Sequence, residues 1–268
     1  MQLLRPSIYS VLGRRHNLDA LTALTTSLGE ESAINDVSDA AIGIDSSVFL
    51  GLAKVSNPAD IVDSLGVAHS GPLILPGQAI QEFWNNQAAV VETFSKRIRN
   101  KFDTLRKECE KLSDEFSEFH SRFEDLLAEF DRSFGQIYTS EALQAAKNTL
   151  DNLRSRAVVA FADRSKFYPL AAMRHSTRTP PGFKDSGDGD FFVWADFLTG
   201  LKSAGRRRPY EKIIFLTDDV KPDWSRAGVA HPILRAEAMA LFGKPFHVLT
   251  LPALSQIIRD QNRGPLPT

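Results

Sequence analysis

Four short apolar runs divide this chain, and each is followed by a helical pattern. AIGID (41–45) leads into SSVFLGLA, and LIL (73–75) is broken by Pro76 and Gly77 before a helix begins. KIIFLTDD (212–219) precedes HPILRAEAMALFG (231–243), and PFHVLTL (245–251) precedes PALSQIIRDQ (252–261). Runs this short and this apolar read as strands buried on both faces. Strands that alternate with helices need crossover connections, hence a parallel sheet with helices on both sides. The predicted fold class is α/β. A hydrophobic fraction of 43% supplies an ordinary core, and 268 residues allow one large domain or a domain carrying an insertion.

A different period takes over in the middle of the chain. Apolar residues recur at steps of three and four from Val90, Phe94 and Ile98 through Phe102, Leu105, Cys109, Leu112, Phe116, Phe119, Phe123, Leu126, Phe130 and Phe134 to Ile137, with charged faces between. That is a coiled-coil seam, and a single helix of this length would reach ~75 Å. A second helical pattern over 140–167 can fold back on it, with Gly135 and Thr139–Ser140 as break and cap. The expected organisation is an N-terminal extension over 1–40, an α/β domain split between 41–87 and 169–262, and a long helical-hairpin insertion over 88–168. The extension is hard to read, apart from an amphipathic stretch at 18–28. Phenylalanine is bulky for a two-stranded seam, so the insertion is expected to pack a second copy of the chain or a partner protein.

A formal net charge of −1 neither advertises nor excludes nucleic acid. The single cysteine, Cys109, rules out an intrachain disulfide and fits a reducing compartment. No stretch approaches the ~18 apolar residues of a membrane span, and the N-terminus lacks a signal-peptide core. A cytoplasmic location without membrane contact is the expectation. His175 and His231 are isolated, so no zinc site is read.

Carboxylates stand at the ends of these core elements. Asp45 and Asp219 end strands, and Glu82 and Asp190 open helices. In a parallel sheet such positions can meet at one rim. Carboxylates gathered there repel unless a cation neutralises them, and hard oxygen ligands suit Mg²⁺ or Mn²⁺. Against this, an Asp at a helix start is more often a cap than a ligand. Asp218, Asp223, Asp185 and Asp188 are further candidates, some of them capping or pairing with Lys221 and Lys184.

The stretch TPPGFKD…GDGDFFVWADFL…KIIFLTDDVKPDW…LRAE resembles the PIN-like domains, in particular a bacterial subgroup marked by PPG(Y/F)KD, GD…W and TDDxKxDW. IDSSVFL (44–50) is similar to the family's first motif, and IQEFWNNQ (80–87) to the subgroup's second. The resemblance implies Asp45, Glu82, Asp190 and Asp219 as a metal-binding and catalytic quartet. It favours Asp219 over Asp218 because the family ligand lies two residues after the Thr, although Asp218 is kept as a further ligand. In GDGD either Asp188 or Asp190 can be the acid, and Asp190 is favoured because it directly precedes the helix containing Trp194. Lys184, Lys221 and Arg235 lie in the motif segments and are the candidate substrate-binding cations. Thr217 can position water or phosphate through its hydroxyl. Phe183 is the candidate for base stacking, whereas Trp84 and Trp194 read as core.

The implied activity is a Mg²⁺- or Mn²⁺-dependent endonuclease that hydrolyses phosphodiester bonds, prefers RNA, and serves as a bacterial toxin or phage-defence effector. Two alternatives stand beside it. One is a catalytically silent binding or regulatory module that works through its coiled coil, and the other is a DNA-directed nuclease.

Overall fold

A computed structural model of the chain describes residues 5–29, 34–52, 58–109, 117–134, 147–219 and 221–263. Its strands are β1 (Ala40–Ile44), β2 (Leu73–Pro76), β3 (Ala157–Ala160), β4 (Lys212–Leu216), β5 (Ser225–Arg226), β6 (Val229–Ala230) and β7 (Phe246–Leu249). Five of them form a parallel sheet in the order β3–β2–β1–β4–β7, and β5 and β6 form a small antiparallel hairpin. In the centre of the sheet Ile42 pairs with Leu73 on one side and Ile214 on the other. The chain moves outward from β1 through β2 to β3, then returns to the far side of β1 with β4 and β7. The winding direction reverses between β1 and β4, and connections leaving opposite ways there open a crevice at the carboxyl ends of the two strands.

The helices are α1 (Ile8–Leu12), α2 (Ala20–Gly29), α3 (Ser46–Gly51), α4 (Pro58–Asp63), α5 (Gly77–Cys109), α6 (Ser117–Phe134), α7 (147–154), α8 (Arg164–Ser176), α9 (Gly189–Ala204), α10 (Pro232–Phe242) and α11 (Leu251–Arg263). Alternate strand residues feed two cores. Ile213 and Phe215 pack with Leu12, Phe167, Trp194 and Leu234 of α1, α8, α9 and α10. Ile214 and Leu216 pack with Phe49, Ile61, Phe83 and Leu254 of α3, α4, α5 and α11. Burial on both faces is the reason these strands read as unbroken apolar runs. The first core is aromatic at its centre, where Phe215 stacks on Trp224 at 4.7 Å and Trp194 meets Phe246 edge-on at 5.0 Å.

The structure departs from the sequence reading in three places. The extension that is hard to read in the sequence adds a helix to the core: Ser7 caps α1 by accepting from Ser10 N at 3.0 Å, and Val11 and Leu12 are fully buried. The seam is not one continuous rod. Phe102 of α5 and Phe123 of α6 lie 6.0 Å apart, and Arg106 pairs with Glu124 at 2.8 Å. A continuous helix would hold those rings ~31 Å apart, so α5 and α6 lie side by side. The expected return helix over 140–167 is also interrupted, because residues 157–160 form β3 and pair with β2 from Leu73↔Ala157 to Pro76↔Ala160. Val158 and Val159 favour the pleated conformation. As the edge strand, β3 leaves Val159 51% exposed and so lacks a fully apolar run. Leu112, Phe116, Ile137 and the expected break at Gly135–Ser140 lie outside the described residues. Among the described residues no helix is long and apolar enough to cross a membrane.

Candidate active site

Asp45 directly follows β1 and is buried in the crevice between β1 and β4. Its Oδ1 accepts from Ser46 N at 2.7 Å, and its Oδ2 accepts from Ser47 Oγ and Thr217 Oγ1, each at 2.7 Å. Each hydroxyl that donates to Asp45 also accepts a backbone N–H from the β4 turn. Ser47 takes Asp218 N at 2.9 Å, and Thr217 takes Asp219 N at 3.0 Å. The two hydroxyls therefore clamp the end of β4 onto the end of β1. Burial raises the Asp45 carboxyl above its ordinary range, and the three hydrogen bonds oppose it without winning.

Thr217 is fully buried, and its hydroxyl serves the Asp45 carboxylate and the Asp219 backbone N–H. Asp219 turns toward the crevice, where its Oδ1 accepts from Lys221 N at 2.9 Å. Asp218 does not join it. Its Oδ1 accepts from Leu251 N at 2.9 Å at the start of α11, and Oδ2 lies against Gly51. The adjacent acids that close β4 thus point to different elements, which relieves their repulsion.

Glu82 arrives on the second turn of α5. The first turn is fixed by Asp196, fully buried on α9, which accepts from Gln78 N at 2.8 Å and Ala162 N at 2.6 Å and pairs with Arg164 at 2.6 Å. Gln78 Nε2 then donates to Glu82 Oε1 at 3.1 Å. A Cβ on Gly189 would lie 2.6 Å from Glu82 Oε1, so the glycine between Asp188 and Asp190 admits Glu82 to the turn that carries Asp190. Burial raises the Glu82 carboxyl, and the Asp45 charge adds to the rise.

Asp190 lies in the first turn of α9 with its side chain 16% exposed. Asp188 sits at the N-cap of α9 without a side-chain capping bond. Burial, a hydrogen bond with Asp185 and the charges of Asp185 and Asp219 push the Asp190 carboxyl up to about 8. A hydrogen bond between two carboxyls needs one proton, and of the pair Asp190 is the one whose carboxyl is raised. Burial also acts to raise Asp185, but bonds from Lys221 and Asp190 outweigh it and hold Asp185 low. Asp190 Oδ2 is buried without a hydrogen-bond partner.

Lys221 stands in the middle of these acids, with Nζ 2.6 Å from Asp185, 2.9 Å from Asp219 and 3.5 Å from Asp190. Burial acts to lower its pKa, but these partners raise it, so the ammonium stays charged. Among the described residues, no three His, Cys, Asp or Glu side chains converge closely enough to hold a metal ion; here the lysine takes the central place.

The structure brings Asp219, Asp190, Asp185 and Lys221 together, and it adds Asp45 and Glu82 at the same carboxyl edge of the sheet. Lys184 lies one residue from the cluster and places Nζ 5.7 Å from the centre of the Phe183 ring. Arg235 is elsewhere, buried along a cavity of about 420 Å³ with His16, Asp19 and Phe246. Trp194 is core, as its position predicts, but Trp84 is 72% exposed. The sequence reading missed Asp196 and Arg164, the pair that seats α5. No local motif marks them, because their partners lie 32 to 118 residues away.

A family model for the PIN like domain matches residues 41–234, well over half of the chain. No curated protein and no solved structure matches it. PIN-like domains are in general nucleases, and such nucleases generally use divalent cations. The matched stretch runs from β1 into α10 and spans every acid of the cluster, and on that match this chain belongs to the PIN-like domain family.

Proposed function

We propose that this protein is a metal-dependent endonuclease that hydrolyses phosphodiester bonds, with RNA preferred over DNA. The observation that carries this reading is the gathering of acids from β1, α5, α9 and the β4 turn at one edge of the sheet, where Asp190 Oδ2 is buried without a hydrogen-bond partner and held only by the Lys221 ammonium at 3.5 Å among the described residues. Hard oxygen donors of this kind fit Mg²⁺ or Mn²⁺. Asp45, Glu82, Asp190 and Asp219 would hold the cation, while Asp218 is committed to α11. A divalent cation bound there supplies Lewis acidity and charge neutralisation for the transition state.

The chain's own groups do the rest. Ser47 and Thr217 fix the Asp45 carboxylate, and Gln78 orients Glu82. As a ligand Asp190 would be ionised, its proton passing to solvent. Lys221 would then keep Asp185 at 2.6 Å and could turn its remaining donors to a phosphate oxygen. The preference for RNA and a role as a toxin or phage-defence effector rest on the family resemblance. Leu105, Phe119 and Leu126 stand 49%, 54% and 55% exposed on α5 and α6, which supports a second copy or a partner protein docking there. A monomeric mass in solution would remove the dimer.

The test incubates wild type and Asp190→Asn with mixed single-stranded RNA and DNA, in Mn²⁺, Mg²⁺ or EDTA. Asn is close in shape to the protonated Asp190, so the fold should survive the change. Cleavage by wild type alone, stopped by EDTA and faster on RNA, is the expected result. Cleavage that survives EDTA or the substitution would overturn the metal assignment, and faster cleavage of DNA would overturn the substrate. A silent module is the second reading, favoured by the Lys221 ammonium at the centre of the acids. Absence of cleavage under every condition would select it.

A further inference from the structure

Beside the acid cluster lies a cavity of about 450 Å³, within the roughly 300–1,000 Å³ of small-ligand sites. The two loops that build the cluster build this cavity as well. On one, Asp185 faces Lys221 while Phe183 and Lys184 line the cavity; on the other, Lys221 faces the acids while Pro222 lines it. Gly182 N donates to Asp223 Oδ2 at 2.9 Å and fastens the two loops together. Cluster and cavity are therefore one residue apart along each loop. The remaining walls come from α2, through Leu24, Ser27 and Leu28, and from the β5–β6 hairpin and the start of α10.

The lining has a definite chemistry. No carboxylate lines the cavity among the described residues, and its charged side chains are Lys184 and Arg226. Val229 and Ala230 line its inner side, Leu24 and Leu28, 42% and 79% exposed, form an outer apolar wall, and the Phe183 ring is half-buried at the edge. One polar group completes it. His231 Nδ1 accepts from Ile233 N at 3.2 Å, so in the neutral ring Nε2 carries the hydrogen and is left as a donor. A metal ion would find no carboxylate here. An acidic peptide would meet the cations but would offer no planar face to Phe183. A nucleotide matches these parts: a flat base for the ring and apolar walls, a polar base edge for the imidazole, and a phosphate for the cations.

We propose that this cavity receives the base of the nucleotide next to the scissile phosphate, with Phe183 stacked on it and Lys184 and Arg226 on its phosphate. A base inside a duplex has both faces stacked and its pairing edge covered, and must leave the stack to enter such a pocket. The substrate is therefore single-stranded or looped where it is cut. The polymer and the scissile bond are those of the nuclease reading, on which this inference rests. It also gives α2, N-terminal to the matched family segment, a part in choosing the cleavage position.

The test is made in EDTA, so that binding is read without cleavage. A labelled five-nucleotide RNA of mixed sequence, the same sequence as a blunt duplex, and the four 5′-mononucleotides are titrated into wild type, Phe183→Ala, Phe183→Tyr and the double variant Lys184→Ala/Arg226→Ala. The single strand should bind at least tenfold more tightly than the duplex. Phe183→Ala should weaken it about tenfold, and Phe183→Tyr should restore it. The double variant should flatten the salt dependence by roughly 0.7 of a unit of slope, the share of one phosphate on a single strand.

In Mn²⁺, Phe183→Ala should also shift the preferred cleavage positions. If Phe183→Ala binds and cuts like wild type, the cavity is off the strand's path and the inference fails, while EDTA-sensitive cleavage leaves the nuclease reading standing. Binding that depends on Phe183 without cleavage in any metal supports the cavity and removes the nuclease. Mononucleotides bound as tightly as the strand would assign the cavity to a free nucleotide and overturn its place on the substrate.

Discussion

Lys221 is the residue on which the metal reading turns, because its ammonium stands where the carboxylates would otherwise demand a cation. Lys221→Met should lower the melting temperature of the metal-free protein by roughly 2–4 °C, as expected from about 1 kcal/mol lost in a domain of this size. The same change should enlarge the stabilisation by Mn²⁺, since a competitor for the acids is gone and a ligand that binds only the folded state stabilises it. A smaller Mn²⁺ gain than wild type would show that lysine and metal do not compete. A second residue governs acid stability. His69 is 6% exposed with Nε2 3.0 Å from the Ala40 carbonyl oxygen, and burial, aided by the Arg156 and Arg208 charges, lowers its pKa. Below the ordinary value of about 6.5 the unfolded chain takes up a proton that the folded chain refuses, so stability falls as pH falls. The slope approaches about 1.4 kcal/mol per pH unit for one such group. His231, also lowered by burial, adds to it. The Asp190 carboxyl, raised to about 8, acts the opposite way over this range, so the measurement is a difference between variants: from pH 7.5 to 5.5 the melting temperature of His69→Gln should fall less, or rise more, than that of wild type.

Among the elements, β1, β2, β4 and β7 were legible because both faces of each are covered, which leaves an apolar signature along the chain. β3 was not, since an edge strand with one open face has the composition of its helical neighbours, and only its pairing with Pro76 and the residues before it defines it. The α5–α6 pair shows the same limit from the other side. Steps of three and four specify an apolar stripe but not where the chain breaks, so one seam helix and two packed helices share one pattern. Phe123 is 6% exposed and rests on Phe102. Phe123→Ala should cost about 3 kcal/mol locally. Hydrogen exchange should then quicken within 101–109 and 117–134 and leave β1 and β4 unchanged, if the pair opens as a unit of its own. Faster exchange throughout the sheet would show that the pair and the α/β core unfold together.

For the whole molecule, the acids gathered at the carboxyl edge of the sheet were readable from strand ends and helix starts, while the groups that hold the rest in place were not. Glu237 shows why. It is fully buried and gathers Arg14 at 2.6 Å, Arg174 at 2.7 Å and Trp194 Nε1 at 2.8 Å from α10, the segment after α1, α8 and α9. Its partners are 43 to 223 residues away, beyond any local pattern. Glu237→Gln leaves the Arg174 guanidinium buried without a countercharge and should remove about 3–5 kcal/mol of stability. The measurement is a urea midpoint that falls with its slope unchanged; an unaltered midpoint would show that the network is dispensable. The position of β3 has a consequence in time as well. β2 acquires its outer neighbour only after the chain has travelled from Pro76 to Ala157, and closing so long an excursion is slow unless the intervening helices first shorten it. During synthesis the sheet therefore waits with the hydrogen-bonding edge of β2 open, at the stage when an unpaired strand most readily finds another chain. Prompt folding of α5 and α6 protects the sheet from that encounter.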